Sequence, residues 1–491
     1  MLFNSISFAL FLPIVFLLYW LIFNKNVKLQ NIFLLAASYF FYAWWDWRYL
    51  SLVLLCSITN YTGGLLLMRT EAEKQRKAIM ILCCTISLGV LGLFKYYNFF
   101  VSSLVDAFAS INIQLGASTL NLILPVGISF YTFHTLSYTI DVYRRKFEPT
   151  KDVVSFFLFV SIFPLAMAGP IERATNLLPQ IYKPRRFDYA MAVDGMRQFL
   201  WGLFKKMVIA DNCAVYADAV FGNYATQSGS TLLLGTLMFT IQIYGDFSGY
   251  SDMAIGIGKM LGFKFLRNFN NPYFSRDIAE FWRRWHISLT TWFRDYLYIP
   301  LGGSRGSKWM VTRNTFIIFL VSGFWHGANW TFIAWGAYHA VLFLPLILAG
   351  KNRKYTNVVA EGKIFPSWKE WGQMLLTFFL VTLGWILFRA DTIHQAWFIF
   401  RQIFSSSLFT APNFLFPGFF IKSLIGTSLL ILFVPILFIT EWMQRTKQHG
   451  LQIENVKSIW IRGSIYLVLV AFIFYYYLYF GQNTTFIYFQ F

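Results

Sequence analysis

Apolar runs long enough for membrane-spanning helices recur from Phe8 to Tyr479, and no long polar block interrupts them to form a separate soluble domain. A helix needs about 20 predominantly apolar residues to cross the hydrocarbon core of a bilayer. Candidate spans are Ile6–Phe23, Leu29–Ala43, Leu50–Met68, Ala78–Phe94, Leu120–Ile140 and Val153–Met167. They continue with Phe199–Val215, Leu232–Tyr250, Phe316–Phe324, Trp330–Leu348, Met374–Phe388, Leu424–Ile439 and Ile465–Phe480. Several are short or interrupted by Gly or Pro, as re-entrant, tilted or interfacial segments are. Roughly 10 to 12 true crossings are expected on that count, in one integral-membrane domain over residues 1–491.

Composition agrees. Only 13% of residues are charged, about half of what a soluble surface carries. The first 23 residues lack a basic opening and a small-residue cleavage site, so they read as an uncleaved first span. Formal charge is +19, but the basic residues sit in short clusters between apolar runs. That pattern fits cytoplasmic loops and anionic membrane lipid, with no nucleic acid as partner. The clusters also set an orientation. Lys25 and Lys28 mark the first loop, Arg69, Lys74, Arg76 and Lys77 the third, and Arg144, Arg145, Lys146 and Lys151 the fifth. The second loop is nearly neutral, and the fourth, Asn98–Thr119, has no Lys or Arg. The N-terminus is therefore expected outside and the odd loops inside. Cys56, Cys83, Cys84 and Cys213 lie in apolar or helical stretches without metal-binding spacing and read as buried structural thiols.

Polar residues at membrane depth are costly and usually face a cavity or a substrate path, which draws attention to 245–340. Glu280–Gly303 reads as one amphipathic helix at 100° per residue, with Trp282, Trp285, Leu289, Trp292, Phe293 and Tyr296 on one arc. Arg283, Arg284, Thr290, Arg294 and Asp295 fall on the other arc, and His286 at the boundary. A membrane-surface helix reads the same way. In Ser322–Trp330 an apolar run leads straight into His326, between Trp325 and Gly327. Burial disfavours imidazolium, so such a histidine can accept a proton from a hydroxyl; a hydrogen-bonded structural histidine fits equally. Asp246 and Asp252 stand among small residues in Gly245–Phe263, as in a polar network or a channel wall. The loop Ala168–Gln180 brings Glu172 and Arg173 after a Gly-Pro break, at a cavity mouth or in a structural ion pair. His134 and His339 read as core; His394 and His449 read as solvent-facing.

These strings also occur in a telling order. Leu124–Arg144 (LPVGISFYTFHTLSYTIDVYR), AGPIER, GDFSGYSDMAIG, WRRWHISLTTWFRDYLYIPLGGSRG and FWHGANW together resemble the membrane-bound O-acyltransferase family, in its bacterial O-acetylation branch. The likeness covers a motif-bearing core of about 120–340, and the C-terminal third is similar only as a set of membrane helices. The resemblance implies an all-α polytopic membrane fold, with helices around a funnel or tunnel and re-entrant and interfacial helices beside it. It implies a catalytic His326 and, 40 positions earlier, a second motif residue at His286. Trp325, Asn329 and Trp330 would shape the site, with Arg283 and Arg284 as electrostatic support. It implies acetyl-CoA as donor substrate with no bound cofactor or metal, and an extracytoplasmic polysaccharide or peptidoglycan as acceptor. It also implies a second, periplasmic or surface-anchored acetyltransferase as partner, and residence in the bacterial inner membrane. D-alanyl transfer to teichoic acid and a non-enzymatic export channel are the alternatives.

Overall fold

The computed structural model describes residues 1–116, 119–120, 122–413, 420–480 and 486–487, and every regular element among them is a helix. Residues 117–118 of the fourth loop and residue 121 of the fifth candidate span lie outside the described residues. The chain divides into two compact units, Met1–Gly195 with Ala254–Leu266, and Met196–Met253 with Arg267–Phe491.

The first unit contains α1 (Ile6–Leu21), α2 (Val27–Asp46), α3 (Leu50–Arg69), α4 (Glu73–Leu91), α5 (Tyr97–Ala109), α6 (Ile128–Tyr143), α7 (Val153–Ser161) and α8 (Ala174–Tyr182). Phe8 and Phe11 of α1, Phe41 of α2 and Phe163 just after α7 form a ring cluster with centroids 5.4–6.4 Å apart. Several polar groups inside this unit are paired across its helices. Asn60 donates to Ser87 Oγ at 2.9 Å and accepts from Thr139 at 2.6 Å, joining α3, α4 and α6. Arg76 donates to the carbonyls of Leu67, Thr70, Val142 and Tyr143, so this third-loop cation ties helix ends together.

Among the described residues, five stretches are long and apolar enough to cross a membrane by length and composition: Val27–Arg69, Glu73–Ala109, Trp330–Leu348, Trp368–Arg389 and Ile459–Leu478. The first holds α2 and α3, 20 residues each, so each is about 30 Å long and sufficient for one passage. The candidate span Leu424–Ile439 lies partly outside the described side chains, and others fall below that criterion for physical reasons. Helix α1 has only 16 residues, and several later helices carry the polar side chains described below.

The second unit continues from α9 (Tyr189–Leu203), which begins in the first, with α10 (Asp211–Gly222) and α11 (Gly229–Met260). It goes on with α12 (Ile278–Arg284), α13 (Ile287–Phe293), α14 (Lys308–His326), α15 (Trp330–Leu348), α16 (Trp368–Arg389), α17 (Ile393–Ile403), α18 (Phe420–Met443) and α19 (Ile459–Phe480). Helices α14 and α15 form a tight hairpin. A Cβ at Gly323 would sit 2.2 Å from the Phe332 carbonyl oxygen, and one at Gly336 would sit 2.4 Å from that of Phe319. Glycine lets the two backbones touch, which holds the end of α14, and so His326, against its neighbour.

Between α9 and α10 a π-helical turn, Phe204–Ala210, turns two adjacent lysines into the interior. Lys205 Nζ lies 2.6 Å from Asp252 and 2.8 Å from Ser248 Oγ. Lys206 Nζ lies 2.6 Å from Asp246 and 2.7 Å from Asp211. Gln198 donates to Asp252 at 2.8 Å, and the Ile487 backbone N–H donates to Asp246 at 2.7 Å. Of the two sequence readings for Asp246 and Asp252, the structure shows the polar network. Sequence reading also placed His449 in solvent, and the structure corrects this: it is 5% exposed. Its turn is closed by Lys447 Nζ on the Gln452 carbonyl at 2.7 Å, and the next residue, Gly450, lies against the Trp201 ring.

Two stability outcomes follow from these contacts. Gly336→Val should lower the apparent melting temperature in detergent by overpacking the hairpin, a cost of about 1–3 kcal/mol. An unchanged melting curve would show that the hairpin is not tight. Lys205→Met strands a buried carboxylate and should cost about 3–5 kcal/mol, much of it recovered by adding Asp252→Asn. Equal melting temperatures for the single and double variants would deny the pairing.

Candidate functional site

The stretch expected to form one helix over Glu280–Gly303 does not. It breaks after Arg284, and His286 takes a left-handed backbone conformation, φ 45° and ψ 52°. Helical periodicity could not show this, because the break is imposed by a neighbouring segment. The Asn270 N–H donates to the Arg284 carbonyl and the Ile287 N–H to the Asn268 carbonyl, both at 2.9 Å. Those bonds replace the helical ladder on both sides of the break. Left-handed residues other than glycine are uncommon and cluster at functional sites. Beyond α13 the chain runs into a π-helical turn, Arg294–Tyr298, so the two arcs read from a single helix do not persist.

The break turns the imidazole of His286 inward, where it is 1% exposed. Phe247 of α11 meets it edge-on at 4.6 Å between centroids, and Trp325 at 5.8 Å. Its Nδ1 lies 3.1 Å from Asn268 Oδ1. Burial pushes this imidazole down to about 3, so it is neutral throughout the physiological range.

His326 is the last residue of α14, and Gly327 leaves the helix with an extended backbone. Its ring is 3% exposed and is enclosed by Trp325 at 4.9 Å, Trp335 at 5.2 Å and Phe388 at 5.4 Å. The rings of His286 and His326 stand 6.3 Å apart, tilted by 58°. Even with nitrogens aimed along the line of centroids, this spacing exceeds direct hydrogen-bond length. It suits one oxygen atom between two imidazoles.

The other predicted residues take distinct places. Trp325 packs against both histidines from one side. Asn329 caps α15, accepting the Thr331 N–H at 3.0 Å and donating to the Asp391 carbonyl at 2.9 Å. Trp330 opens α15 with 56% of its surface exposed. Arg284 is buried on Glu280 at 2.8 Å, which also holds Arg276 at 3.0 Å. Arg283 donates to the carbonyls of Asn352 and Tyr355, in the loop that precedes α16. His339 packs at 5.0 Å from both Trp282 and Trp335 in the core, as expected, and His394 is exposed.

Glu172 and Arg173 belong to the first unit. The Glu172 N–H donates to His134 Nε2 at 3.0 Å, and its carboxylate accepts from Asn176 at 2.7 Å and from the Leu266 N–H. Burial pushes this carboxyl up to about 7. Glu172 thus fastens the Gly-Pro loop to its own unit, with Arg173 half-buried beside it.

A cavity of about 410 Å³ is lined by Ile287, the residue after His286, and by Ser322, one turn before His326, while neither histidine is itself part of the lining. Trp282, Phe319 and Phe343 give it apolar walls, while Arg283, Arg294 and Arg353 bring cationic groups to its lining. The volume is that of a small-molecule site. Among the described residues no three His, Cys, Asp or Glu side chains gather in a metal-binding arrangement. Sequence reading missed Asn268, Phe247, Phe388 and the lysine pair. Three asparagines within 268–271 of an aromatic segment were the available signal for the first. The lysines had looked like ordinary members of a basic chain.

Comparisons with known proteins show the family. A probable alginate O-acetylase (AlgI) of Pseudomonas aeruginosa is 43% identical over 406 residues, 82% of this chain and 74% of the relative. A peptidoglycan O-acetyltransferase of Helicobacter pylori is 35% identical over 426 residues, 81% and 78% of the two chains. A teichoic acid D-alanyltransferase of Bacillus subtilis is 29% identical over 291 residues, 56% of this chain and 71% of that one. The profile of MBOAT, the membrane-bound O-acyltransferase family, matches residues 40–383, a span that takes in both histidines and the cavity between α12 and α15. The chain is therefore an acyltransferase of the membrane and belongs to the membrane-bound O-acyltransferase family.

Proposed function

We propose that this protein moves an acetyl group from cytoplasmic acetyl-CoA to the outside of the bacterial inner membrane, for O-acetylation of an extracytoplasmic polysaccharide or peptidoglycan. The observation that carries the reading is the pair of buried imidazoles, 6.3 Å apart beside a cavity with apolar walls and arginines. The donor's arm lies along the apolar walls, and its phosphates meet Arg283, Arg294 or Arg353. His326 acts as general base. The acceptor hydroxyl oxygen attacks the thioester carbonyl, a C–O bond forms and the C–S bond breaks. The hydroxyl proton passes to His326 and from there to the departing thiolate. His286 helps to orient the reacting hydroxyl, and Trp325 keeps the two rings in register.

Acetyl rather than alanyl transfer is favoured because the acetylating relatives are 35–43% identical over most of this chain, whereas the alanyl-transferring one covers 56% of it. A second, periplasmic or surface-anchored acetyltransferase completes delivery to the glycan, and the N-terminus lies outside. The export-channel alternative is set aside, because a channel has no use for a proton acceptor at His326.

The test is complementation of a deletion strain, with mass analysis of its surface polymers. Wild type should restore O-acetyl groups. His326→Ala, present in the membrane at normal level, should reduce acetylation about 10²–10⁴-fold. Full acetylation by that variant would refute the mechanism, and loss of alanyl in place of acetyl groups would move the substrate to the alanyl branch.

A further inference from the structure

We infer that Asn268 is the positioning residue for His286 and that it fixes the imidazole as the Nδ1–H tautomer, leaving Nε2 as a hydrogen-bond acceptor. The inference rests on the reading that the two histidines form the reaction site, and it deepens that reading.

Amide orientation and histidine tautomer are normally inferred from the surrounding hydrogen bonds, and here the bonds decide both. Asn268 is completely buried. One terminal atom of its side chain lies 3.3 Å from the Ser288 backbone nitrogen. A backbone N–H can only donate, so that atom is the oxygen, Oδ1. Ser288 Oγ donates to the same oxygen at 2.9 Å, and the amide nitrogen on the other branch donates to Ser251 Oγ of α11 at 3.0 Å. Oδ1 is also the atom 3.1 Å from His286 Nδ1. Since Oδ1 can only accept, Nδ1 must carry the proton, and a neutral ring then bears its lone pair on Nε2.

Asn268 also holds the backbone that places this ring. Its own carbonyl accepts the Ile287 N–H at 2.9 Å, so one residue grips both the side chain of His286 and the chain just after it. The left-handed conformation of His286 is thereby fixed from Asn268 on one side and from Asn270 on the other.

The tautomer narrows what His286 does. A ring whose Nε2 accepts cannot donate a hydrogen bond from that atom to a thioester carbonyl, so it does not polarise the donor through Nε2. It accepts a hydrogen bond from a polar hydrogen of the acceptor other than the one on the attacking hydroxyl, whose own proton goes to His326, and so aims that hydroxyl's oxygen at the carbonyl carbon. Removing the Asn268 amide would free the ring to exchange tautomers and to rotate.

The experiment uses the full-length protein in detergent, labelled with ¹⁵N-histidine, with His286→Gln spectra subtracted to isolate the His286 signals. Acetyl transfer is followed in parallel from acetyl-CoA to the acceptor polymer over a range of pH. Wild type should show His286 protonated at Nδ1 and unprotonated at Nε2. Asn268→Leu should lose that single-tautomer pattern and transfer about 10- to 100-fold more slowly, as losses of orienting partners do. Asn268→Asp keeps an acceptor facing Nδ1 and should keep the tautomer and most of the rate. Its carboxylate stabilises the imidazolium, so loss of activity on the acid side should move up by about 1–3 pH units.

A wild-type spectrum with the proton on Nε2 would overturn the inference, as would an Asn268→Leu protein with the wild-type rate or an Asn268→Asp protein with the wild-type pH profile. The wild-type spectrum decides even if a variant fails to fold. It also separates this claim from the functional reading, which fails instead if His326→Ala transfers normally.

Discussion

An ionisable or polar group taken out of water costs several kcal/mol unless protein atoms stand in for the lost solvent, and the second unit is organised by that constraint. Lys205 and Lys206 are matched by Asp252, Asp246 and Asp211. Arg276 and Arg284 are matched by Glu280. These ion pairs fix α11 and α12, the two elements that bring Phe247 and the His286 break together. Charge that looks, in sequence, like a channel lining or catalytic support is largely consumed in building the frame. The two imidazoles stand inside an aromatic enclosure of Trp325, Trp335, Phe247 and Phe388.

That arrangement has a chemical consequence. A neutral imidazole in an aromatic site rests with its lone pair unprotonated and is a poor resting cation. For the proposed thioester donor, an enclosure of rings would also limit access of hydrolytic water. On the proposed function, the cavity lined by Ile287 and Ser322, with its guanidinium groups, would supply the amphipathic surroundings of a phosphate-bearing thioester donor.

Much of this was legible in the sequence, and the parts that were not share a cause. Hydropathy revealed a polytopic helical chain because a bilayer imposes length and apolarity on each span. The order of five motifs pointed to His286 and His326, and the fold brings these residues, 40 positions apart, to 6.3 Å. The helix break at His286 was invisible because it depends on hydrogen bonds from 268–270, and a 3.6-residue pattern carries no sign of a partner segment. The inward turn of Lys205 and Lys206 depends on a π-helical turn that no periodicity announces. His449 sits among polar neighbours in sequence yet is covered by a turn folded onto Trp201. Local pattern thus singled out the two histidines, while tertiary contacts set the geometry around them.

The central claim is that the two histidines act as one unit, and a double-mutant cycle on coenzyme A release tests it most directly. Purified wild type, His286→Ala, His326→Ala and the double variant would be compared with acetyl-CoA and acceptor, together with the partner acetyltransferase. Groups that work as a unit give grossly non-additive losses, so the double variant should be little worse than His326→Ala alone. Losses that simply multiply would mean that the two imidazoles act independently, and would contradict the account.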